Sequence, residues 1–273
     1  MSREKTVTLA MVLSAGFGER LKPLSLSRPK PLFPVLNRPM LGRWFDKLAA
    51  AGVGEVVVNA HHLKEMIADF VGREREKHPG LTIRLSVEDD VLGTGGGLKR
   101  AGGFLDRTFY CVNADILTDL RLKDLAAFHF DGEKDLTLAA LDNPAKATVS
   151  VGADGRILGF REKAPLENET AKLFGTGVMV MEPRILGKIP DGPSDIVDTL
   201  RAEAEAGRDM RVFRPRNPEP FWTDVGTPED YYRANLVLSQ GMRHLEEGAE
   251  ILGETSGFLV AEAGALTEKG SLV

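Results

Sequence analysis

The stretch Val7-Thr8-Leu9-Ala10-Met11-Val12-Leu13-Ser14-Ala15-Gly16-Phe17-Gly18-Glu19-Arg20-Leu21-Lys22-Pro23-Leu24, with Arg28-Pro29-Lys30-Pro31 a few residues later, decides how this chain is read. Val7 to Leu13 has the length and apolar content of a buried parallel strand. Behind it, Ser14, Ala15, Gly16 and Gly18 form a small-residue turn whose backbone N–H groups can close on an anion. Arg20 and Lys30 then arrive on proline-stiffened chain. A fixed guanidinium and a fixed ammonium complete the neutralisation that backbone dipoles begin, so the segment predicts a polyphosphate cradle. An ordinary strand-to-loop turn with surface charges is the competing reading, since Gly-x-Gly turns are common.

Two better-known glycine loops do not fit. A dinucleotide fingerprint needs a small residue where Leu21 stands and an acid about 20 residues on, where Asn37 and Arg38 lie instead. A Walker loop needs Gly-Lys-Ser/Thr, and the chain has Leu21-Lys22-Pro23.

The 273 residues suffice for one large α/β domain with a small appendage. A formal net charge of −5 with mixed signs argues against a nucleic-acid surface. No apolar run approaches the roughly 20 residues that span a bilayer, and the first residues lead into a strand without a signal-peptide core, so no membrane association and a cytoplasmic location are expected. One cysteine, Cys111, excludes an intramolecular disulfide and cysteine-based metal clusters; in its apolar strand it reads as a buried structural thiol.

Strand-like runs alternate with helix-like ones through the first half: a helix over Leu41 to Ala51, a strand over Glu55 to Asn59, a helix over Leu63 to Val71, a strand over Thr82 to Val87, a helix from Gly96 and a strand over Phe109 to Asn113. This βαβα order predicts a Rossmann-like α/β fold, a mostly parallel sheet flanked by helices, with ligands beyond the carboxyl ends of the strands. Strands over Leu136 to Leu141, Ala147 to Val151, Ile157 to Phe160 and Gly177 to Met181, with a turn at Ala153 to Arg156, make the sheet mixed by an antiparallel insertion, and Ile196 to Ala206 follows as a helix. Residues 1–240 are read as the catalytic domain. Residues 241–273 are read as a helix and the start of a left-handed β-helix, because Val260, Leu266 and Leu272 recur every six residues.

Two acids follow strands. Asp115 ends Phe109 to Ala114, and Asp224 precedes a helix announced by Thr227-Pro228. Two such carboxylates can share one Mg²⁺, whose remaining positions phosphate oxygens and waters fill; each acid alone reads equally well as a cap or turn residue. Leu92-Gly93-Thr94-Gly95-Gly96-Gly97-Leu98 reads as a second glycine-rich turn whose bare backbone can lie against a flat base, with Glu88 placed to accept from a base N–H or to stand in solvent. Glu162 and Lys163 combine a hydroxyl acceptor with a cation, and Gly175-Thr176-Gly177 leaves room for a ring.

Taken in order, Gly16-x-Gly18-x-Arg20-Leu21-x-Pro23-Leu24, Pro29-Lys30-Pro31, Asn113-Ala114-Asp115, Glu162-Lys163, Gly175-x-Gly177 and Trp222-x-Asp224-Val225-Gly226-Thr227 resemble the sugar-1-phosphate nucleotidylyltransferases. Its mannose-1-phosphate guanylyltransferase-like and N-acetylmuramate-1-phosphate uridylyltransferase-like branches come nearest, the latter through the Thr94-Gly95-Gly96-Gly97 loop and Leu141-Asp142-Asn143-Pro144. Ser25 departs mildly, since many members have threonine there. The resemblance implies an Mg²⁺-dependent condensation of an NTP (GTP, UTP or dTTP) with a sugar 1-phosphate, giving NDP-sugar and pyrophosphate, and it leaves room for a homodimer. It further implies that Arg20 holds the β and γ phosphates, Lys30 bridges the α-phosphate and the incoming phosphate, and Asp115 and Asp224 hold the metal. Ser14, Ala15, Gly16, Gly18, Glu88, Gly95 and Gly96 fall to the nucleotide, and Asn113, Glu162, Lys163 and Gly177 to the sugar phosphate. His61 and His62 are expected to be structural. A non-catalytic nucleotide-sugar-binding regulator, a dehydrogenase and a phospho-alcohol nucleotidyltransferase are the rival readings.

Overall fold

A computed structural model describes residues 5–217 and 220–240; the expected β-helix start at 241–273 lies outside the described residues. Strand β1 (Leu9–Leu13) is buried at all five positions, as its unbroken apolar run requires. Its alternation divides it between two cores. Ala10 and Val12 pack with Leu41, Trp44, Phe45 and Leu48 of α1 (Met40–Ala50) and Ile67, Phe70 and Val71 of α2 (Lys64–Lys77). On the opposite face, Leu9, Met11 and Leu13 meet Leu98 and Ala101 of α3 (Gly93–Ala101) and Ile196 and Leu200 of α5 (Ile196–Glu205). Period-two side chains on a strand covered on both faces produce this division.

Around β1 the strands β4 (Glu55–Ala60), β5 (Thr82–Val87) and β6 (Phe109–Asn113) run parallel in the order β5-β4-β1-β6. Beyond β6 comes β11 (Glu169–Met181), antiparallel to it, then β8 (Leu136–Leu141) and β12 (Met210–Phe213). The first half of β11 leaves this sheet to pair with β9 (Val149–Gly152), which carries β10 (Ile157–Phe160) in an antiparallel hairpin. The pairing of β11 with β8 shifts between Gly175 and Met179, around Gly177 at φ 74°, where glycine meets no Cβ penalty. The expected mixed sheet with an antiparallel insertion is what the chain forms. Cys111 is fully buried, and burial pushes its thiol up to about 12, which makes it inert.

Differences from the sequence reading have local causes. Helix α3 begins at Gly93, so the glycine run lies inside a helix and not in an open turn. Strand β11 starts at Glu169, eight residues before the expected Gly177, because its half-exposed first part is stabilised by β9. Helix α4 (Leu122–Phe130), short and buried on one side, and β12 were not separable by pattern.

A third, smaller core fixes the chain after β1. Leu21, Phe33, Val35, Leu117 and Val225 pack with Tyr231, Ala234 and Leu238 of α6 (Pro228–Ser239). The Tyr231 hydroxyl donates to the Pro34 carbonyl at 2.6 Å and Asn235 Oδ1 accepts from Leu36 N–H at 3.1 Å. Thr227 caps α6, its hydroxyl accepting from Asp230 N–H. These contacts hold Arg20 and Lys30 relative to the sheet.

Two short strands, β2 (Pro34–Val35) and β3 (Arg38–Pro39), bring Arg38 between α1 and α2. Its guanidinium donates to Asp46 at 2.7 and 2.9 Å and to Glu74 at 2.7 and 2.8 Å, in space that a Cβ at Gly42 would fill at 2.6 Å. Burial alone would raise the Glu74 carboxyl, but hydrogen bonds from Arg38 and Lys77 outweigh it and hold that group below the usual range. Arg38→Met should therefore destabilise the fold by about 3 kcal/mol, because it strands a fully buried carboxylate. The sign with pH follows. A depressed carboxyl contributes above its unfolded pKa, about 4.3, and that contribution is lost as pH falls through the lower folded value. Without Arg38, burial raises the same carboxyl, so protonation relieves the variant and the gap to wild type shrinks on acidification. Urea midpoints at pH 7 and pH 4 measure it; a gap independent of pH contradicts the assignment.

Candidate active site

The loop after β1 is shaped before any ligand enters. Ser14 N–H donates to Asn59 Oδ1 at 2.7 Å and the Ser14 hydroxyl donates to the Asn59 carbonyl, so this N–H is spent on tying β1 to β4. Gly18 takes φ 65°, with Ser25 Cβ 3.3 Å from where its own Cβ would be. The turn Glu19–Leu21 buries Leu21 completely and leaves Arg20 exposed, with no ion-pair partner printed by the geometry among the described residues. The Arg20 guanidinium rests against Gly226, where a Cβ would lie 3.0 Å from Nη2. Gly226→Ala should push that guanidinium aside without unfolding the protein. Up to about a hundredfold loss in kcat/KM is expected, since misplacement near 1 Å has that effect; steady-state kinetics beside a melting curve checks it.

Lys30 opens a second turn, Lys30–Leu32, and its ammonium pairs with the Asp115 carboxylate. Asp115 lies between β6 and β7 (Ile116–Thr118), and β7 pairs antiparallel with β13 (Trp222–Asp224), setting Asp224 opposite Ile116. Val225 N–H donates to the Asp115 carbonyl at 3.0 Å. One two-stranded ribbon thus carries both acids, although 109 positions separate them in sequence from Asp115 to Asp224.

These residues line a cleft of two chambers at the carboxyl edge of the parallel strands. The first, about 360 Å³, is walled by Ser14, Ala15, Gly16, Gly18, Arg20, Lys30, Asn59 and Gly226. The second, about 790 Å³, has Gly177, Arg161, Trp222, Asp224, Ser194 and Asp195 on its walls. Leu13, Gly93, Thr94, Asn113 and Asp115 face both. A long anion in the first and a ring in the second would meet beside Asn113 and Asp115.

Five expected site residues stand elsewhere. Glu88 is fully buried, and its carboxylate accepts from Asn59 Nδ2 at 2.7 Å and Leu92 N–H at 3.2 Å, so it braces the loop from behind. Gly95 and Gly96 lie within α3 beneath the segment 192–195: Gly95 N–H donates to the Ser194 carbonyl at 2.8 Å, and a Cβ on Gly96 would be 2.6 Å from the Gly192 carbonyl. The glycines admit this close crossing. Glu162 is held by Arg201 at 2.9 Å, and neither it nor exposed Lys163 lines the cleft. Arg161, at φ 57°, takes the wall instead and lies 2.9 Å from Asp195. Burial would raise the Asp195 carboxyl, but the Val197 N–H and Arg161 keep it below the usual carboxylate range.

Sequence reading did not single out Asn59, Thr94, Arg161 and Asp195. Asn59 alone had a usable signal, a polar residue closing an apolar strand at the ligand edge. His61 and His62 support the loop, bonding the Glu88 and Ser25 carbonyls and packing on Phe17.

Among the described residues one group of three metal-ligating side chains lies together, Asp46, Glu74 and His78. Arg38 and Lys77 already neutralise it. The donors that face the cleft are Asp115 and Asp224, hard oxygens beside a cradle for phosphate, and they fit a magnesium ion completed by phosphate and water.

The nucleotidyl transferase family model matches residues 9–241. The mannose-1-phosphate guanyltransferase of Schizosaccharomyces pombe is 30% identical over 259 residues, covering 92% of this chain and 69% of that protein. That of Aspergillus oryzae is 35% identical over 231 residues, 81% of this chain and 62% of the relative. The chain therefore spans about two thirds of the length of these relatives. A solved UDP-glucose pyrophosphorylase complexed with UDP-glucose shares the fold, with TM-score 0.70 and 17% identity over 86% of this chain and all of that one. No helix among the described residues is long and apolar enough to cross a membrane.

Proposed function

The chain belongs to the nucleotidyl transferase family, and from that premise we propose that it condenses a sugar 1-phosphate with a nucleoside triphosphate, releasing pyrophosphate, with mannose 1-phosphate and GTP as the pair. The observation that carries this reading is the meeting of Arg20, Lys30, Asp115 and Asp224 around two connected chambers, cations and carboxylates without a general base. The names of the two fungal relatives support the choice of sugar and base.

The chemistry needs only what these residues supply. A phosphate oxygen of the sugar 1-phosphate attacks the α-phosphorus of the triphosphate, the bond from that phosphorus to the bridging oxygen breaks, and pyrophosphate leaves with the electron pair. The nucleophile is already an anion, so no proton has to be removed. The barrier comes from bringing two anions together in line. Arg20 binds the leaving β and γ phosphates through its fork of donors, and Lys30 moves from Asp115 to the oxygens that gain charge. Asn113, at the junction of the chambers, orients the attacking phosphate. Asp115 and Asp224 would hold Mg²⁺, which supplies charge neutralisation at the triphosphate.

Pyrophosphorolysis tests the reading from the product side. GDP-mannose and pyrophosphate with Mg²⁺ should yield GTP and mannose 1-phosphate. Binding of GDP-mannose without any GTP formed would favour a non-catalytic sugar-nucleotide sensor instead.

A further inference from the structure

Both carboxylates assigned to the metal carry a lysine in this structure, each from a different element. Asp115 pairs with Lys30, and Asp224 Oδ1 lies 3.5 Å from Lys146 Nζ. Nothing in the reaction described above uses Lys146. It stands on the short turn Pro144–Lys146 between β8 and β9 and reaches across the mouth of the larger chamber. Its ammonium lies 5.2 Å from the ring centroid of Trp222 and 5.7 Å from that of Phe174. Those rings meet edge to face at 4.6 Å, and the indole N–H is fixed on the Thr176 carbonyl at 2.9 Å.

A lysine side chain half in solvent would wander if one carboxylate alone held it, because exposed pairs gain little over hydration. Two ring faces behind the ammonium add a second attraction and define a resting place. The ammonium is therefore held by three groups that belong to one wall of the cleft.

We propose that Lys146 is the resident counter-ion of Asp224, occupying that carboxylate until a divalent cation arrives, as Lys30 does at Asp115. The inference rests on the assignment of the metal to Asp115 and Asp224. Two lysines on two carboxylates leave the pair without net charge, so a free divalent ion meets no attractive field and must displace both ammonium groups. A triphosphate changes that balance, since its oxygens offer both lysines a new partner. The metal consequently enters with the nucleotide, not ahead of it. Freed Lys146 then faces the chamber that receives the sugar phosphate.

The test is Mn²⁺ binding to the whole protein without nucleotide, followed by electron paramagnetic resonance of the free ion. Wild type should bind weakly, Lys146→Met about fivefold tighter, and Lys146→Arg as wild type, the factor being that expected for losing one solvent-screened cation beside the ligand. With GTP present, water-proton relaxation from the ternary complex should show the wild type and the methionine variant converging. Equal or weaker Mn²⁺ binding by Lys146→Met than by wild type overturns the proposal. Asp224→Asn separates the two layers of argument. If it loses Mn²⁺ in the GTP complex while Lys146→Met shows no gain, the counter-ion role alone fails; if it keeps full Mn²⁺ binding there, the metal assignment fails and takes the proposal with it.

Discussion

Asp115→Asn is expected to lower the rate of pyrophosphate release at saturating substrates by about a thousandfold, the scale of removing a charge that organises the reacting phosphates. Asparagine keeps the size of the side chain and its place on the ribbon of β7 and β13, whose pairing runs through backbone groups. What changes is charge. The site loses the carboxylate that both lodges Lys30 and faces the two chambers. The effect should fall on kcat more than on binding, because a less acidic site repels the triphosphate less in the ground state. A melting temperature near wild type must accompany it. A loss under tenfold with the fold intact would remove Asp115 from the proposed machinery.

Arg20→Ala is expected to cost about a thousandfold in kcat/KM with almost no change in stability, as befits a donor fork aimed at charge that grows in the transition state. Arg20 is exposed, whereas its neighbour Leu21 is fully buried in the third core, so the turn keeps its anchor when the guanidinium is removed. Surface substitutions of this kind change stability by about 0.5 kcal/mol or less. Arg20→Lys should recover part of the activity, since it restores the charge and not the fork. Equal activity of the lysine and alanine variants would mean that charge at this position does nothing. Steady-state kinetics with calorimetry on the same preparations reads both quantities.

Much of this fold is written locally. The runs Thr82 to Val87, Phe109 to Asn113, Leu136 to Leu141 and Ile157 to Phe160 form strands at the bounds their composition suggests, and the apolar run ending at Leu13 forms β1. β-branched and aromatic clusters between turn residues specify such segments without help from the rest of the chain. Arg20, Lys30, Asp115 and Asp224 were legible because each follows a strand or opens a helix at one edge of the sheet, where the topology gathers them.

The remainder depended on residues far apart. Gly95 and Gly96 are glycines because segment 192–195 crosses α3 within a Cβ's reach, and a contact across about a hundred positions leaves no mark in the local pattern. Glu88 is claimed by Asn59 from the neighbouring strand, a pairing set by sheet register. Arg161 lines the cleft in place of its neighbours Glu162 and Lys163 because its backbone is left-handed at φ 57°, which turns successive side chains to other sides than an extended strand would. Lys146 came into view only through the convergence of Phe174, Trp222 and Asp224 from two other strands.

The most direct measurement is pyrophosphate release with Mg²⁺ across a grid of GTP, UTP, dTTP, CTP and ATP against mannose, glucose, N-acetylglucosamine, N-acetylmuramate and heptose 1-phosphates. The account predicts turnover with the strongest signal from GTP and mannose 1-phosphate, abolished by Asp115→Asn and by Arg20→Ala. Silence across the whole grid, in a protein that neither binds nor is stabilised by any of these nucleotides, would contradict it.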